Sequence, residues 1–373
     1  MKKSLIAVAL MATICGAQAA TVYDKDGTSL DIFGKIEVSY KNAHAAHADK
    51  IADYRSSDGG IMNAARIGMS GRSQISDNVY AIGMAEWDVA SGDSFDGMHA
   101  RHQFIGIDAQ NYGTLLFGRG DNAFYTVAGV SDIFHTLDFE CDDYYLTGDQ
   151  NPGLIMYTLS SLGWDLRASF GSAKSNINDT GLNYKYQAAF AASTRLASDI
   201  TISYALAYYK FSYEGDISRQ LQYFAQKMQP MFNLKDSERD AYANSNRPEH
   251  KIDKGIAISY GTYGDGLYAA LNFVSTRYQH YSHHLYSYEA VVDYAFDSGL
   301  GLTAGYGCKR FHHSNILGDL NLGVRYQVNP NFNVFAEAQI DVSSHPEIYY
   351  TASEINERAL AENKMLCGAE FLF

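Results

Sequence analysis

Residues 286–296 read YSYEAVVDYAF, and their side chains sort by parity into two unlike sets. Tyr286, Tyr288, Ala290, Val292, Tyr294 and Phe296 form one face, apolar with aromatics at both ends; Ser287, Glu289 and Asp293 belong to the other. A period of two sends alternate side chains to opposite faces of a strand, so this stretch reads as a strand with one apolar and one acidic face. LNLGVRYQV (320–328) and FNVFAEAQID (332–341) repeat the pattern. It persists to the last residue. In the closing stretch, Phe373, Phe371, Ala369, Cys367 and Met365 share one face, and Leu372, Glu370, Gly368 and Lys364 the other. Free termini fray, so an end that keeps strand parity is held in a sheet.

Sixteen such segments are predicted: 30–40, 61–71, 78–89, 101–109, 113–119, 153–160, 164–172, 181–192, 200–211, 252–263, 267–277, 286–296, 301–310, 319–328, 333–342 and 364–373. Helical periodicity is almost absent, and no stretch reaches the ~20 apolar residues of a membrane helix. Two-faced strands suit either a soluble sandwich, apolar face inward, or a membrane barrel, apolar face to lipid and polar face to a wet lumen. The connections decide. YGDG (263–266), DSG (297–299), NPN (329–331) and SSLG (160–163) are tight turns, alternating with long polar stretches at 41–60, 120–152, 212–251 and 342–363. Short turns on one rim and long loops on the other are a barrel arrangement, and closure leaves no strand edge unpaired in lipid. The expected fold is all-β: a 16-stranded antiparallel transmembrane β-barrel whose last strand pairs with the first, around Ile32 to Tyr40.

The N-terminus indicates the compartment. In MKKSLIAVALMATICGAQA (1–19), Lys2 and Lys3 precede an apolar run that ends in Ala17-Gln18-Ala19. That is the pattern of a cleaved secretory signal peptide, with the barrel expected over 20–373. Removing the two lysines leaves 27 basic against 42 acidic residues, a net charge of −15, which disfavours nucleic acid as a partner. Cys141, Cys308 and Cys367 remain, an odd set rather than a disulfide framework.

ATVYDKDGTSLDIFGKIEV (from Ala20), ARIGMSG (65–71), RHQFIGI (101–107) and NYGTLLFGRGDNAFY (111–125) resemble, in order and spacing, the general trimeric porins of the Gram-negative outer membrane. The resemblance covers the mature chain and is weakest through 210–250. It implies a third loop folded into the lumen as an inward constriction, here 120–152, with its strand end followed by Asp132, Asp138, Glu140 and further acids. It also implies basic wall residues facing those acids: Lys35, Arg66 and Arg101, which read as lumen-facing with Ile36, Ile67 and Phe104 on the opposite parity. The loop departs from the family where HTLDF (135–139) replaces a Pro-Glu-Phe-Gly-Gly stretch, and an arginine expected near Gln150 is missing. Opposed charges across a narrow gap screen solutes by charge, and the acid excess points to a cation preference.

Partners implied by the resemblance are a homotrimer, outer-membrane lipid and lipopolysaccharide, the outer-membrane assembly machinery and small solutes. Arg119, Gly83 and Trp87 are the expected trimer contacts: Arg119 matches a family position near the subunit interface, and Val79, Ala81, Gly83 and Ala85 make a small-residue face beside Trp87. Phe373 and Phe371 read as the assembly signal. No catalytic residues, cofactor or metal are expected: no Ser-His-Asn set, phosphate loop or CxxC occurs, and the histidines gather in loop-like YQHYSHH (278–284), FHH (311–313) and His44/His47. The expected function is a general diffusion pore located across the outer membrane. A substrate-specific channel is the alternative, followed by a barrel enzyme or an adhesin.

Overall fold

The computed structural model describes residues 19–45, 59–92, 98–139, 141, 147–172, 174–177, 182–213, 247–279, 284–311, 314–343 and 362–373. The signal-like segment, Glu140 and most of the long stretches 212–251 and 342–363 lie outside them. Eighteen strand segments are present among the described residues. They begin with β1 (Ala20–Lys25), β2 (Thr28–Ala45), β3 (Gly60–Ser76), β4 (Val79–Gly92), β5 (His99–Asp108) and β6 (Thr114–Gly120). After the segment 121–150 come β7 (Asn151–Ser161), β8 (Trp164–Gly171), β9 (Lys174–Ile177), β10 (Leu182–Arg195), β11 (Ile200–Phe211) and β12 (His250–Thr262). The chain finishes with β13 (Asp265–Tyr278), β14 (Leu285–Ala295), β15 (Leu300–Phe311), β16 (Ser314–Asn329), β17 (Phe332–Asp341) and β18 (Glu362–Leu372).

Every pairing is antiparallel, and two of the eighteen segments continue others. β9 pairs with β10 beyond the end of β8, so β8 and β9 form one barrel strand. β1 pairs with Thr28–Ile32 of β2, and β18 pairs with Lys35–Ala45 on the same strand, so the two chain ends form one composite strand. Sixteen barrel strands therefore remain, and β18 against β2 closes the sheet. All sixteen predicted segments are present. β1 was missed: it is short and charged, although Asp26-Gly27 (φ 53° and 75°) is a strong hairpin signal.

Burial is inverted relative to a soluble sandwich. Glu37, Asn272, Asp293, Asn321 and Glu337 are buried, while their strand neighbours Ile36, Leu271, Val292, Leu322 and Val334 are exposed. An apolar exterior of this extent is stable only against lipid. Aromatics mark both edges of the outer face. Phe170, Tyr186, Tyr208 and His250 stack in a row, with centroid spacings of 6.3, 6.0 and 5.4 Å. At the tight-turn end Tyr294 meets Phe296 and Phe371 stacks on Phe373. Among the described residues no helix is long and apolar enough to cross a membrane.

The terminus is anchored as its parity requires. Phe373 N–H donates to Gly34 O at 3.0 Å, and Gly34 N–H donates to Phe373 O at 2.8 Å. A β-carbon on Gly34 would lie 2.6 Å from the Phe373 ring, so the small residue is what admits the terminal aromatic.

Candidate functional site: a loop docked in the barrel lumen

The segment 121–150 leaves β6 and returns to β7, and its described residues 121–139 lie against the interior of the barrel. Its short helix, Tyr125–Ala128, sets Phe124, Val127 and Ala128 against Ala189, Ala191, Ala205, Ala207 and Ala257 of the wall. Further on, Ile133, Phe134 and Phe139 pack on Tyr268, Ala270, Val291 and Leu317. The wall is cut small to receive them: a β-carbon on Gly305 or Gly307 would lie within 2.7 Å of Phe139. The sequence reading expected polar lumen faces and did not see this alanine and glycine lane. Runs such as AAFAAS offer alanine on both parities and so carry no face signal.

Polar contacts pin the same segment. The Glu337 carboxylate accepts three backbone N–H groups, from His135, Thr136 (3.0 Å) and Leu137 (2.9 Å). Asn321 Nδ2 donates to Leu137 O, and Gln339 Nε2 to Asp138 O. Ser131 Oγ donates to Glu289, and Asn122 Nδ2 donates to Gln187 Oε1 at 2.6 Å and Tyr209 Oη at 2.9 Å. Tyr268 Oη donates to Val130 O at 2.7 Å. These bonds satisfy loop backbone and side chains that a lumen-docked segment cannot give entirely to bulk water.

Lys35, Arg66 and Arg101 all reach the interior. Their partners are acids of the wall itself. Lys35 Nζ is 3.0 Å from Glu37 and 3.9 Å from Glu370. Arg66 Nε is 2.9 Å from Asp88, and Arg101 Nη1 is 3.2 Å from Asp88; both guanidinium groups lie within 3.6 Å of Glu86. His102 Nδ1 meets Glu86 at 2.7 Å, while its Nε2 meets Asp121 at the loop base at 3.2 Å. The expectation of bases facing loop acids across a gap is corrected in part: all three bases form ion pairs with wall carboxylates, and of the described loop acids Asp149 also acts electrostatically on Arg101.

The parity argument for Arg101 is also corrected. Phe104 faces inward, packed beside Ile82, Leu116, Leu154 and Met156, and Ile105 and Ile107 face out. Arg101 turns inward through a β-bulge, because Glu86 pairs with His102 and Trp87 with Ala100, leaving Arg101 opposite no residue.

Of the loop acids, Asp132 accepts from Tyr125 Oη at 2.9 Å. Burial and the Asp132 and Glu337 carboxylates push the Asp138 carboxyl well above the usual range. Burial and Asp121 likewise raise Asp149 to about 8. Glu140 lies outside the described residues. Arg119 donates to Gln150 O at 2.8 Å, tying down the returning end of the loop within its own chain. Gly83 sits with Val79, Ala81, Ala85 and Trp87 on the outward face of β4, opposite buried Ile82, Met84 and Glu86.

A closed barrel with an apolar exterior, a charged interior and a docked internal loop defines a transmembrane channel rather than an enzyme. The comparisons with known proteins agree. The chain matches the family described as Gram-negative porin over residues 7–314. It is 26% identical to outer membrane porin PhoE of Klebsiella oxytoca, over 91% of this chain and 93% of that one. To outer membrane porin F of Xenorhabdus nematophila it is 32% identical, over 42% of each chain. Among solved structures, OmpF of Salmonella typhi in complex with daunomycin superposes with a TM-score of 0.71 at 15% identity, covering 95% of this chain and all of that one. An anion-selective porin from Comamonas acidovorans superposes at 0.63 with 12% identity, covering 93% and 100%. The chain belongs to the Gram-negative porin family, and it is a multi-pass outer-membrane diffusion pore.

Proposed function

We propose that the pore passes small hydrophilic solutes without a dedicated substrate, prefers cations, works as a homotrimer and is constricted by the segment 120–152. The observation that carries the cation preference is the pairing of Lys35, Arg66 and Arg101 with Glu37, Glu370, Glu86 and Asp88, which leaves no excess of positive charge on that wall. Local neutralisation weakens any field that would attract anions, and the net charge of the whole chain is negative. The test is a planar-bilayer recording in a salt gradient. A reversal potential of cation-selective sign is expected, shifting further the same way in Arg66→Gln/Arg101→Gln; an anion-selective sign in the unmodified pore sinks the preference. A conductance that saturates with one solute would favour the substrate-specific alternative.

The small outward face of β4 supports subunit packing, since Ala81, Gly83 and Ala85 leave room for a neighbouring backbone to approach closely. A related barrel, OmpT of Vibrio cholerae, has been solved in a trimer form. Insertion in steps of three conductance units is the expected signature, and single steps throughout would refute the trimer. We assign Phe371 and Phe373 the role of an assembly signal. Deleting Phe373 removes both hydrogen bonds to Gly34 and is expected to leave periplasmic aggregate with export intact; normal trimer yield would contradict that role.

A further inference from the structure

We propose that Glu37, His135 and Glu370 form a binding site for a divalent transition-metal ion that clips the loop tip to the barrel wall. Three elements far apart in sequence bring these groups together: β2, the docked loop and β18. His135 Nε2 lies 3.2 Å from Glu37 Oε2 and 3.3 Å from Glu370 Oε2, and all three ligand atoms fall within 4.8 Å of one another. Zinc–nitrogen and zinc–oxygen bonds of about 2.1 Å in a tetrahedron set ligand atoms roughly 3.4 Å apart, close to both measured edges. One ring nitrogen carries at most one proton, so it cannot bond fully to two carboxylates; as a neutral ligand beside them it completes a metal-binding set.

The surroundings hold the ligands in place. The other Glu37 oxygen accepts from Thr136 Oγ1 at 3.4 Å, and the other Glu370 oxygen accepts from Asn333 Nδ2 at 3.0 Å, leaving both Oε2 atoms aimed at His135. The His135 ring lies against Phe335 with centroids 3.8 Å apart, and Glu337 grips the His135 backbone. Both carboxylates are buried, while the imidazole keeps partial access to the lumen. Lys35 Nζ sits 3.0 and 3.9 Å from the two Oε2 atoms, so its ammonium competes for the position a metal ion takes. No local pattern signals this set, because its members are separated by 98 and 235 positions and His135 stands outside the histidine-rich stretches.

The test titrates the full-length protein in detergent with zinc chloride by calorimetry at neutral pH, beside bilayer recordings with zinc and then EDTA. Because the chain has 12 histidines, the readout is the difference between variants. His135→Ala and Glu370→Gln are expected to weaken zinc binding by about tenfold or more, and Lys35→Gln to strengthen it. Zinc should lower the conductance of the unmodified pore, reversibly with EDTA, and leave that of His135→Ala unchanged. Equal zinc affinity in the unmodified protein and His135→Ala overturns the proposal. So does weaker or unchanged binding in Lys35→Gln, an arm that does not depend on the loop tip surviving the histidine substitution.

Discussion

Replacing Gly118 with alanine is expected to abolish assembly of the barrel. Gly118 has φ 150° and pairs with Phe104 where β6 meets β5. An added β-carbon would lie 2.0 Å from the Gln103 carbonyl oxygen and 2.8 Å from the Phe104 α-carbon. Both are backbone atoms, so no rotamer change relieves the overlap; the two strands must separate. The backbone conformation alone costs a side chain about 1–3 kcal/mol, and lost ladder bonds in lipid add several more, since nothing there replaces them. The measurement is the heat-modifiable shift on gels, with the folded band expected to disappear. Gly83→Ala on β4, two strands away, is the control for folding of the barrel itself: its β-carbon meets only ordinary contacts within the chain, and a folded, heat-modifiable monomer or trimer band is expected. Gly118→Ala folding in normal yield would show that the β5–β6 junction is far more pliable than its geometry implies.

The second large effect concerns the loop. Glu337 is the acceptor for three consecutive backbone N–H groups at the loop tip. Hydrogen bonds to a charged group contribute about 1.5–3 kcal/mol each, and stranded buried donors are penalised by a similar amount. Glu337→Ala leaves all three donors without their acceptor, and is expected to weaken docking of the tip by roughly 4.5–9 kcal/mol on that basis. Leu137, packed on Phe335 and Leu366, holds the tip only in part. The expected result is a larger and noisier single-channel conductance with the barrel still folded, because the side-chain hydrogen bonds of Glu337 go to the loop and its backbone pairing with β16 and β18 does not depend on the side chain. Conductance and noise indistinguishable from those of the unmodified pore would mean that the apolar lane alone fixes the loop. Gln at this position keeps one acceptor oxygen and should fall between the two.

The zinc site and the Glu337 anchor act on the same few residues from opposite sides. Glu337 holds the backbone of 135–137, and the metal would hold the His135 side chain. Zinc is therefore expected to restore part of the quiet conductance lost in Glu337→Ala, a coupling that the recordings above read directly.

Sequence alone determined a good deal. Alternating parity, terminal aromatics and tight turns specified an all-β barrel of sixteen strands, because a period of two in side-chain polarity is enforced residue by residue. Parity also placed Lys35 and Arg66 in the interior and Gly83 and Trp87 outside. It failed for Arg101, where a bulge shifts the register by one residue and reverses every inference drawn from Phe104. The acid partners of the wall bases were visible as residues but not as partners, since ion pairing depends on which strands lie side by side and at what height. The anchoring role of Glu337, the alanine and glycine lane under Phe124 and Phe139, and the meeting of Glu37, His135 and Glu370 were decided only in three dimensions. Each joins the loop to strands up to 235 residues away, and such contacts leave no local periodicity for a sequence to display.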